Sequence, residues 1–405
     1  MKKLRILSLV ALGVASLGGL VGCGKKAAAD VTVGLICLHG SYSTYDNNFI
    51  IAMKDAQKKL GFKLAISEDI PEGPECYDEA KKLAQQGCDV IFADSFGHEQ
   101  HMIKAAKEFP STLFCHATGT NAAAENLPNF GNAFASIYEG RYLAGVAGGL
   151  RMKADIEAGK YTAAEAKVGY VGAFTYAEII SGFTSFFLGV RSVVPEATME
   201  VKYSGSWYDE NAEKSIANEL MNDYNCKLIS QHADSHGAPT ACEAKGIPNV
   251  SYNGSTLSDG PNTYLINSRI NWAPYYEHVI NGFLEAKKAG EAPKVENDWS
   301  KGLKAGSVEV DKASKNCPSG AQAELDKVRK DLEDGKLHVF DFSKFTVGGE
   351  APSAANVMPD PVNTYPGAPA ADQLLANGYY HESEFRSAPS FDVIIDGIHN
   401  INTVF

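Results

Sequence analysis

The sequence predicts an α/β fold of two similar lobes, each built on an open parallel sheet, with a ligand cleft between them. Three observations carry this prediction. Strand-like and helix-like segments alternate along the chain. The strand-like runs, such as residues 31–38 (VTVGLICL), are apolar without alternation, which is typical of parallel strands covered on both faces. The same rhythm restarts near residue 168, after a charged, alanine-rich stretch at 154–166 that we interpret as a surface insertion.

Composition limits the classes of function. The chain has 405 residues, of which 44% are hydrophobic, and this is enough for two well-packed domains. Acidic residues outnumber basic ones by 49 to 37, giving a formal charge of -12, so we expect no nucleic-acid partner. Beyond the N-terminus no apolar run approaches 18 residues, which argues against a polytopic membrane protein. Only the N-terminus points to a membrane.

The N-terminus has the pattern of an export signal. Lys2, Lys3 and Arg5 precede an apolar stretch at 6–21, and Leu20-Val21-Gly22-Cys23 resembles the lipobox of bacterial lipoproteins. That resemblance implies cleavage before Cys23 and lipidation of its side chain and amine. We therefore predict a signal peptide at 1–22, a lipidated tether at 23–30, and an extracytoplasmic protein anchored to the bacterial cell membrane. An ordinary secretory signal with a chance cysteine is the alternative.

The first lobe follows the tether as a βαβαβ unit. Glycines stop both predicted helices, at Gly61 and Gly87. The predicted strands cover residues 31–38, 63–66, 89–92 and 112–115, and the predicted helices cover 49–60 and 75–86. Right-handed crossovers then order these strands into one half of an open twisted sheet.

The second lobe repeats this pattern, and later elements are expected to return to the first. Its predicted strands are 168–171, 199–203, 227–230, 249–252 and 264–266, and its predicted helices are 178–193, 210–221 and 240–245. Helices at 274–288 and 321–332 and a strand at 337–340 follow. Lobe one is thus predicted to comprise 31–137 plus 268–345, lobe two 138–267, with hinge crossovers near 137–142 and 266–269. Residues 346–405, which begin rich in Gly, Pro, Ala and Asn, are predicted to form an extended tail packing across the lobes.

Motifs of catalysis, cofactors and metals are missing from the sequence. We find no GxSxG, P-loop, HExxH or GxGxxG at a strand-to-helix turn, and no CxxC spacing. We therefore predict no enzyme, no cofactor and no metal, although clustered Asp and His side chains keep a hydrolase as an alternative. Seven cysteines remain after Cys23, several of them in apolar runs, and most are predicted to be buried thiols.

Loops at the carboxyl ends of the strands hold the candidate binding residues. Ligands of open parallel sheets bind beyond these ends, and here the loops are rich in rings and hydrogen-bonding groups. We expect aromatic walls from Tyr45, Phe96, Phe174, Trp207 and Trp272, and polar contacts from Asp46, Asn47, His116, Asp234 and Asn253. Such a set suits a planar heterocycle, and it would also suit a sugar. Structural alternatives stay open, since the tryptophans could be core residues, Asp46 a helix cap and His116 a structural imidazole.

Several sequence blocks together carry a resemblance to a known family. They are SFGHEQHMIKAAKEFP (95–110), IYEGRYLAGVAGG (137–149), GYVGAF (169–174), SGFTSFFLGV (181–190), SGSWYDENAEK (204–214), QHADSHGAPTACEAKGI (231–247) and the ending at 393–398. With the lipobox, this order resembles the basic membrane protein family, whose members are substrate-binding lipoproteins of ABC importers. The resemblance covers essentially the whole mature chain. It implies a type I periplasmic-binding-protein fold with two Rossmann-like lobes.

The resemblance also implies a ligand class. In the family's best understood branch, which captures purine nucleosides, a Phe-Asn pair in the first loop holds the base, and Tyr45 and Asp46 occupy those positions here. The Asp-Ser-Asp that holds ribose hydroxyls is replaced by Asn253-Gly254-Ser255, and the Lys that assists it has no counterpart near 268–271. These departures argue against the ribose clamp. The block QHADS (231–235) and the pair Asn271-Trp272 with Tyr275-Tyr276 resemble instead a sister branch, which implies a purine base or a modified nucleoside as the ligand.

The sequence thus predicts a lipid-anchored receptor that closes two lobes on a purine nucleoside or base and delivers it to the membrane permease of an ABC importer. Two other hypotheses remain. The chain could bind a sugar or another small polar solute, or it could be an adhesin or signalling lipoprotein with no small ligand.

Overall fold

A computed structural model describes residues 28–357 and 370–405, which fold into two α/β lobes. The predicted signal peptide and Cys23 lie outside the described residues. Of the predicted tether, residues 28–30 are described and form a turn. Ala28 is fully buried there, and its N–H donates to the carbonyl of Leu60 at 3.1 Å. The end of the tether is therefore packed onto the first lobe.

The first lobe alternates strands and helices as predicted. In chain order it contains β1 (Thr32–Ile36), α1 (Thr44–Leu60), β2 (Lys63–Ser67), α2 (Pro74–Gln85), β3 (Val90–Ala93), α3 (Glu99–Glu108), β4 (Leu113–Ala117), α4 (Ala122–Glu125) and β5 (Phe130–Ala133). The strands pair in parallel in the order β5-β4-β3-β1-β2. The β5 strand and the α3 and α4 helices were not among the predicted elements.

Burial on both faces explains why the strands lack alternation. Val33 and Leu35 of β1 pack into the core on the α1 side, while Ile36 packs into a second core with residues of α2 and α3. The α1 helix begins where Ser43 accepts a hydrogen bond from the Asp46 N–H, and it ends at Gly61, whose φ of 85° is accessible to glycine. These end signals place the start of α1 at the carboxyl end of β1.

The second lobe repeats the arrangement after one long helix. Its elements are α5 (Ile137–Glu157), β6 (Lys167–Gly172), α6 (Ala177–Arg191), β7 (Thr198–Tyr203), α7 (Glu210–Asn222), β8 (Leu228–Gln231), α8 (Gly237–Lys245), β9 (Asn249–Tyr252) and β10 (Tyr264–Ile270). These strands pair in parallel in the order β10-β9-β8-β6-β7. Asp209 caps α7, since its carboxylate accepts from the Ala212 N–H at 2.9 Å. The predicted insertion at 154–166 is in part the last turn of α5.

The last third of the chain returns to both lobes. It forms α9 (Ala273–Ala289), β11 (Asp298–Trp299), β12 (Val308–Val310), α10 (Ala321–Glu333), α11 (Ala371–Leu374) and β13 (Ile398–Asn400). The α9 helix packs on α1, and β11 extends the first sheet beside β5. In contrast, β12 pairs antiparallel with β10 of the second sheet, α10 packs against α5, and β13 pairs in parallel with β7.

This placement corrects part of the expected lobe boundary. Residues 268–345 were assigned to lobe one, but β10 continues in the second sheet to residue 270, and β12 covers the open edge of β10. An uncovered sheet edge leaves backbone N–H and C=O groups without partners. The short β12 strand therefore forms because it pairs with this edge, and its own hydrophobic pattern does not specify a strand. Residues 337–340 form no strand. Phe340 instead packs against Tyr138 and Phe391, with ring centroids 5.6 and 4.5 Å apart.

The chain crosses between the lobes at neighbouring segments that hydrogen-bond to one another. The Phe134 and Ser136 N–H groups donate to the carbonyls of Trp299 and Lys301, both at 3.0 Å. The Asn271 N–H donates to the carbonyl of Ser307 at 2.9 Å. The predicted hinge near 137–142 falls in the first turns of α5, so the crossing itself lies just before that segment.

Two further expectations concern side chains and membranes. The seven cysteines of the described chain are free thiols, and six of them are buried, as predicted. Within residues 28–357 and 370–405, none of the helices combines the length and hydrophobicity that a membrane crossing requires.

Candidate functional site

A narrow cavity lies where the carboxyl ends of the two sheets face each other. The first lobe supplies loops after β1, β3 and β4, and the second supplies loops after β6, β7 and β8. The lining residues are Leu38, His39, Tyr45, Asp46, Ser95, Phe96, Thr118, Glu178, Trp207, His232 and Asp234. This is the place at which an open α/β sheet positions a ligand.

The cavity is a slot rather than an open bowl. Its empty volume is about 350 Å³, part of which is open to solvent, so little enclosed space is left for a guest. The lobes already touch beside it, because the N–H and Oγ1 of Thr44 donate to the Asp234 carbonyl at 3.1 and 3.0 Å. A second interlobe contact joins the rings of Tyr42 and Tyr208, 5.4 Å apart. A ring-sized ligand therefore requires the lobes to separate slightly.

Five of the predicted binding residues come together in this slot, namely Tyr45, Asp46, Phe96, Trp207 and Asp234. Phe174 lies directly behind Trp207, with ring centroids 5.1 Å apart and planes inclined by 67°. It supports the wall without lining the cavity.

The other four predicted residues lie elsewhere. Trp272 is only 2% exposed and stacks on Phe49 in the core, with centroids 4.3 Å apart. The buried His116 bonds through Nε2 to the Ser95 carbonyl at 2.7 Å, and burial lowers its pKa. Asn47 and Asn253 line a separate polar groove along the lobe boundary, which Arg269 also lines. Trp272 and His116 therefore have structural positions, and His116 holds the loop that carries Ser95.

Aromatic rings from both lobes form the walls. Phe96, 42% exposed, tilts toward Tyr176 across the lobe boundary with centroids 5.6 Å apart. Tyr176 stacks on Phe174 at 5.2 Å and 17°. Tyr45 donates its hydroxyl to the Asp94 carbonyl at 2.7 Å, which fixes the ring at the side of the slot. The slot thus offers ring faces and edges to a flat guest.

Asp46 supplies an ionised carboxylate. Burial alone would raise its pKa, but hydrogen bonds from the His39 and Ser43 side chains and from the His39 N–H outweigh burial and lower it. The Ser43 hydroxyl lies 2.6 Å from Oδ2, and the His39 N–H lies 2.8 Å from Oδ1. Asp46 therefore acts in α1 as a capping partner and presents negative charge to the slot at neutral pH.

Asp234 has the opposite character. Burial raises its pKa well above the usual range, and the charges of Asp46, Glu213 and Glu178 raise it further. Asn253 Nδ2 approaches its Oδ1 at 3.5 Å. Asp234 is consequently a neutral acid that can donate a hydrogen bond, opposite an Asp46 that can only accept.

Glu178 and His232 were not among the predicted site residues. His232 Nε2 lies 3.4 Å from Glu178 Oε1, and burial lowers the pKa of His232, so the neutral ring donates to the carboxylate. Both lie at motifs that the sequence analysis quotes: Glu178, in the first turn of α6, follows GYVGAF, and His232 lies within QHADS. Their positions directly after predicted strands of the second lobe are the sequence feature that could have identified them.

Thr118 is a third lining residue that was not among the predicted site residues. Its φ of 65° is unusual for a β-branched side chain, and its buried Oγ1 finds no hydrogen-bond partner within the described chain. Strained backbone and an unsatisfied hydroxyl at a cavity wall are typical of a ligand site.

One buried cluster has donor types that could hold a metal ion. One ligand atom each from Cys37, Asp46 and Asp94 lie within 4.8 Å of one another. Burial raises the pKa of Asp94 well above normal, and the Asp46 charge raises it further. Asp94 Oδ1 accepts from the Leu38 N–H at 3.1 Å. A neutral Asp94 beside a hydrogen-bonded Asp46 accounts for the cluster as a pair of carboxyl groups that share a proton.

Glu213 lies fully buried beneath the Asp234 loop and gives a testable pH dependence. Burial raises its pKa to about 7, while its carboxylate accepts from the N–H groups of Ser235 and Asp209. Because the folded pKa exceeds the unfolded value, the folded state binds the extra proton between about pH 4.5 and 7, and stability falls as pH rises through this window.

We expect Glu213→Gln to remove this component. The free energy of unfolding of the wild-type protein, relative to that of the variant, should fall by about 2 to 3 kcal/mol between pH 5 and pH 8. Urea denaturation of both proteins across that range measures the difference. The amide retains an acceptor oxygen for the same N–H groups, so a pH-independent difference would contradict the assignment.

Comparisons with known proteins place this site in context. A sequence profile described as ABC transporter substrate-binding protein PnrA-like (Bmp) matches residues 43–336. A purine-binding protein of Brucella abortus (strain 2308) is 29% identical over 328 residues, covering 80% of this chain and 87% of the relative. A putative ABC transporter glucose-binding protein of Haloferax volcanii is 32% identical over 212 residues, covering 52% of this chain and 50% of the relative.

Solved structures support the fold. A solute-binding protein of an ABC transporter system from Conexibacter woesei DSM 14684 superimposes with a TM-score of 0.60 at 19% identity, covering 76% of this chain and 98% of that chain. The predicted two-lobed type I periplasmic-binding-protein fold is thereby confirmed.

Proposed function

Since the chain belongs to the Bmp family of PnrA-like ABC transporter substrate-binding proteins, we propose that it captures a purine base or purine nucleoside between its lobes and delivers it to a membrane permease. It does so by binding alone, without covalent chemistry. The purine-binding relative from Brucella supports this ligand class. Contacts from both lobes to the bound ligand stabilise the closed conformation, which is the conformation that a permease would recognise.

The observation that carries the proposal is the narrow slot with aromatic walls and paired carboxyl groups. Phe96 and Trp207 line the slot from opposite lobes, so a flat purine can lie between them once the lobes separate slightly. Its N–H and amino groups can donate to Asp46, while its ring nitrogens can accept from the protonated Asp234. Thr118 Oγ1 is free to serve a further polar atom of the ligand.

The charge of the slot narrows the ligand class to uncharged or cationic purines. None of the eleven described lining residues is lysine or arginine, and Asp46 is ionised. A phosphate group brought into this slot would lose its hydration without gaining a cationic partner. Nucleotides are therefore poor ligands.

A calorimetric and thermal-shift screen tests the proposal. We expect adenine, guanine or their nucleosides to bind with a Kd of about 1 μM or below, and a ligand at 100 times its Kd to stabilise the fold by about 2.7 kcal/mol. AMP and GMP should bind at least about 100-fold more weakly than the corresponding nucleosides. Absence of any purine response would refute the ligand class, and equal affinity for AMP and adenosine would refute the acidic slot as the site.

A sugar receptor is the second candidate function. It is favoured by the similarity to the putative glucose-binding protein of Haloferax volcanii, and carboxylates beside aromatic rings also suit sugar hydroxyls and C–H faces. Glucose, ribose and galactose belong in the same screen. A response to one of these sugars without a response to purines would establish this alternative.

The proposed site of action is the outer face of the cell membrane, with Cys23 as the lipidated residue. The Leu20-Val21-Gly22-Cys23 sequence supports this part of the proposal. In a bacterial host fed an alkyne-tagged fatty acid, the wild-type protein should become labelled and fractionate with membranes. Labelling that persists in Cys23→Ser would place the anchor elsewhere.

A further inference from the structure

The C-terminal segment, residues 398–404, lies beyond the part of the chain that matches the family profile. It begins with β13, which pairs in parallel with β7, residue Ile398 lying opposite Met199. This pairing covers the edge of the second sheet. The chain then continues past the end of β7 toward the ligand slot.

Asn402 extends the contact with β7, because its side-chain amide bonds to the β7 backbone as a neighbouring strand would. Its Oδ1 accepts from the Tyr203 N–H at 2.8 Å, and its Nδ2 donates to the Tyr203 carbonyl at 3.0 Å. Tyr203 is the last residue of β7, and the loop that follows it carries Trp207. Asn402 thus fixes the point at which this loop leaves the sheet.

Val404 joins the two loops that form the second-lobe wall. Its carbonyl accepts from the Thr175 N–H at 2.7 Å, and its own N–H donates to Thr175 Oγ1 at 2.9 Å. Its side chain packs on the other loop, since a Cβ added at Gly205 would lie 3.3 Å from Val404 Cγ1. The same residue therefore contacts the loop of Phe174 and the loop of Trp207.

The rings held by these loops are the aromatic wall itself. Thr175 stands between Phe174 and Tyr176, which stack on each other. Both rings contact Trp207, at 5.1 and 6.2 Å, and Tyr176 also meets Phe96. In the residues from 173 to 176 there is no helix or strand to hold this stack in place.

Covering a sheet edge does not require these additional bonds. The β13 ladder ends at Asn400, whereas the bonds to Thr175 and the contact with Gly205 come after it. We infer that residues 402–404 are positioning residues that brace the aromatic wall and thereby set the affinity of the slot for its ligand. The affinity part of this inference rests on the proposed function, while the bracing part does not.

Two pairs of variants test the brace. Deletion of 403–405 removes the Val404 contacts, and deletion of Phe405 alone, whose side chain is 84% exposed, is its matched control. Thr175→Val removes the Oγ1 acceptor without changing the side-chain shape, and Thr175→Ser restores a hydroxyl. We expect the first member of each pair to raise the Kd of the tightest-binding purine at least tenfold, mainly through faster dissociation, and each control to stay within twofold of wild type.

Hydrogen exchange in the ligand-free protein provides the readout that does not depend on a purine. Peptides covering 173–177 and 204–208 should exchange faster in the deletion variant and in Thr175→Val, while peptides from β4 should not change. Unchanged exchange and a Kd within twofold of wild type in both variants would overturn the inference and leave the segment as an edge cover. If the wild-type protein binds no purine, the proposed function fails. The hydrogen-exchange result alone then tests whether residues 402–404 hold the aromatic wall in place.

Discussion

Replacing Trp207 by alanine should raise the Kd of the bound purine about 100-fold. Trp207 lines the slot and is supported from behind by Phe174. Losing the contact area of one large ring and its stacking costs about 2.7 kcal/mol of binding free energy, which corresponds to two orders of magnitude. Titration calorimetry with the tightest-binding purine measures the change.

The folded state should tolerate this substitution, because Trp207 is only partly buried. We expect the free energy of unfolding to change by about 1 kcal/mol or less. Trp207→Phe retains a flat ring and serves as the matched control, with a Kd within about tenfold of wild type. A Trp207→Ala protein that binds as tightly as wild type would show that the ligand lies outside this slot.

Replacing Trp272 by alanine should have the opposite effect, with a large loss of stability and little change in ligand affinity. The indole is buried, stacks on Phe49, and meets Phe134 and Tyr275 with centroids 6.2 and 6.4 Å away. Removing such a side chain from a packed core costs about 3–5 kcal/mol, because the surrounding residues cannot close the cavity completely. Urea denaturation gives the difference in the free energy of unfolding.

The ligand affinity of the folded Trp272→Ala protein should remain within about threefold of wild type, since the side chain does not line the slot. Trp272→Phe, which keeps a ring against Phe49, should recover a large part of the stability. If instead Trp272→Ala retained full stability and lost its ligand, Trp272 would be the binding residue that the sequence alone proposes. Together, the two tryptophan variants therefore distinguish a residue that lines the binding slot from one that belongs to the hydrophobic core.

The comparison of these tryptophans shows where sequence reasoning about a site succeeds and where it stops. Trp207 follows β7 directly, and strand ends of an open sheet converge on the cleft, so position along the chain was sufficient. Trp272 also follows a strand, β10, but the helix after it turns its side chain inward against α1. Nothing in the local pattern distinguishes these two outcomes.

Short edge elements were beyond prediction for a different reason. The β11 and β12 strands are two and three residues long, and β12 pairs with β10 about 40 residues earlier in the chain. Their hydrophobic pattern is too short to have a period. They are strands because a distant backbone edge supplies their hydrogen bonds, and the same holds for β13 on β7.

Protonation states likewise depended on packing. Asp46, in the first turn of α1, and Asp234, in the loop after β8, are the same residue type. Hydrogen bonds from His39 and Ser43 keep Asp46 ionised, while burial among other carboxylates keeps Asp234 neutral. The sequence places both in the cleft, and only their surroundings assign acceptor and donor.

By itself the sequence determined the alternating α/β plan, the two lobes and the loops that meet at the cleft, since apolar runs and turn residues act within a few neighbours along the chain. The family followed from the resemblance of several sequence blocks. The tertiary structure alone decided which ring is wall and which is core, which carboxyl group carries a proton, and that Val404 reaches Thr175. These properties arise from contacts between residues far apart in the chain, where burial and hydrogen-bond partners are set by the fold as a whole.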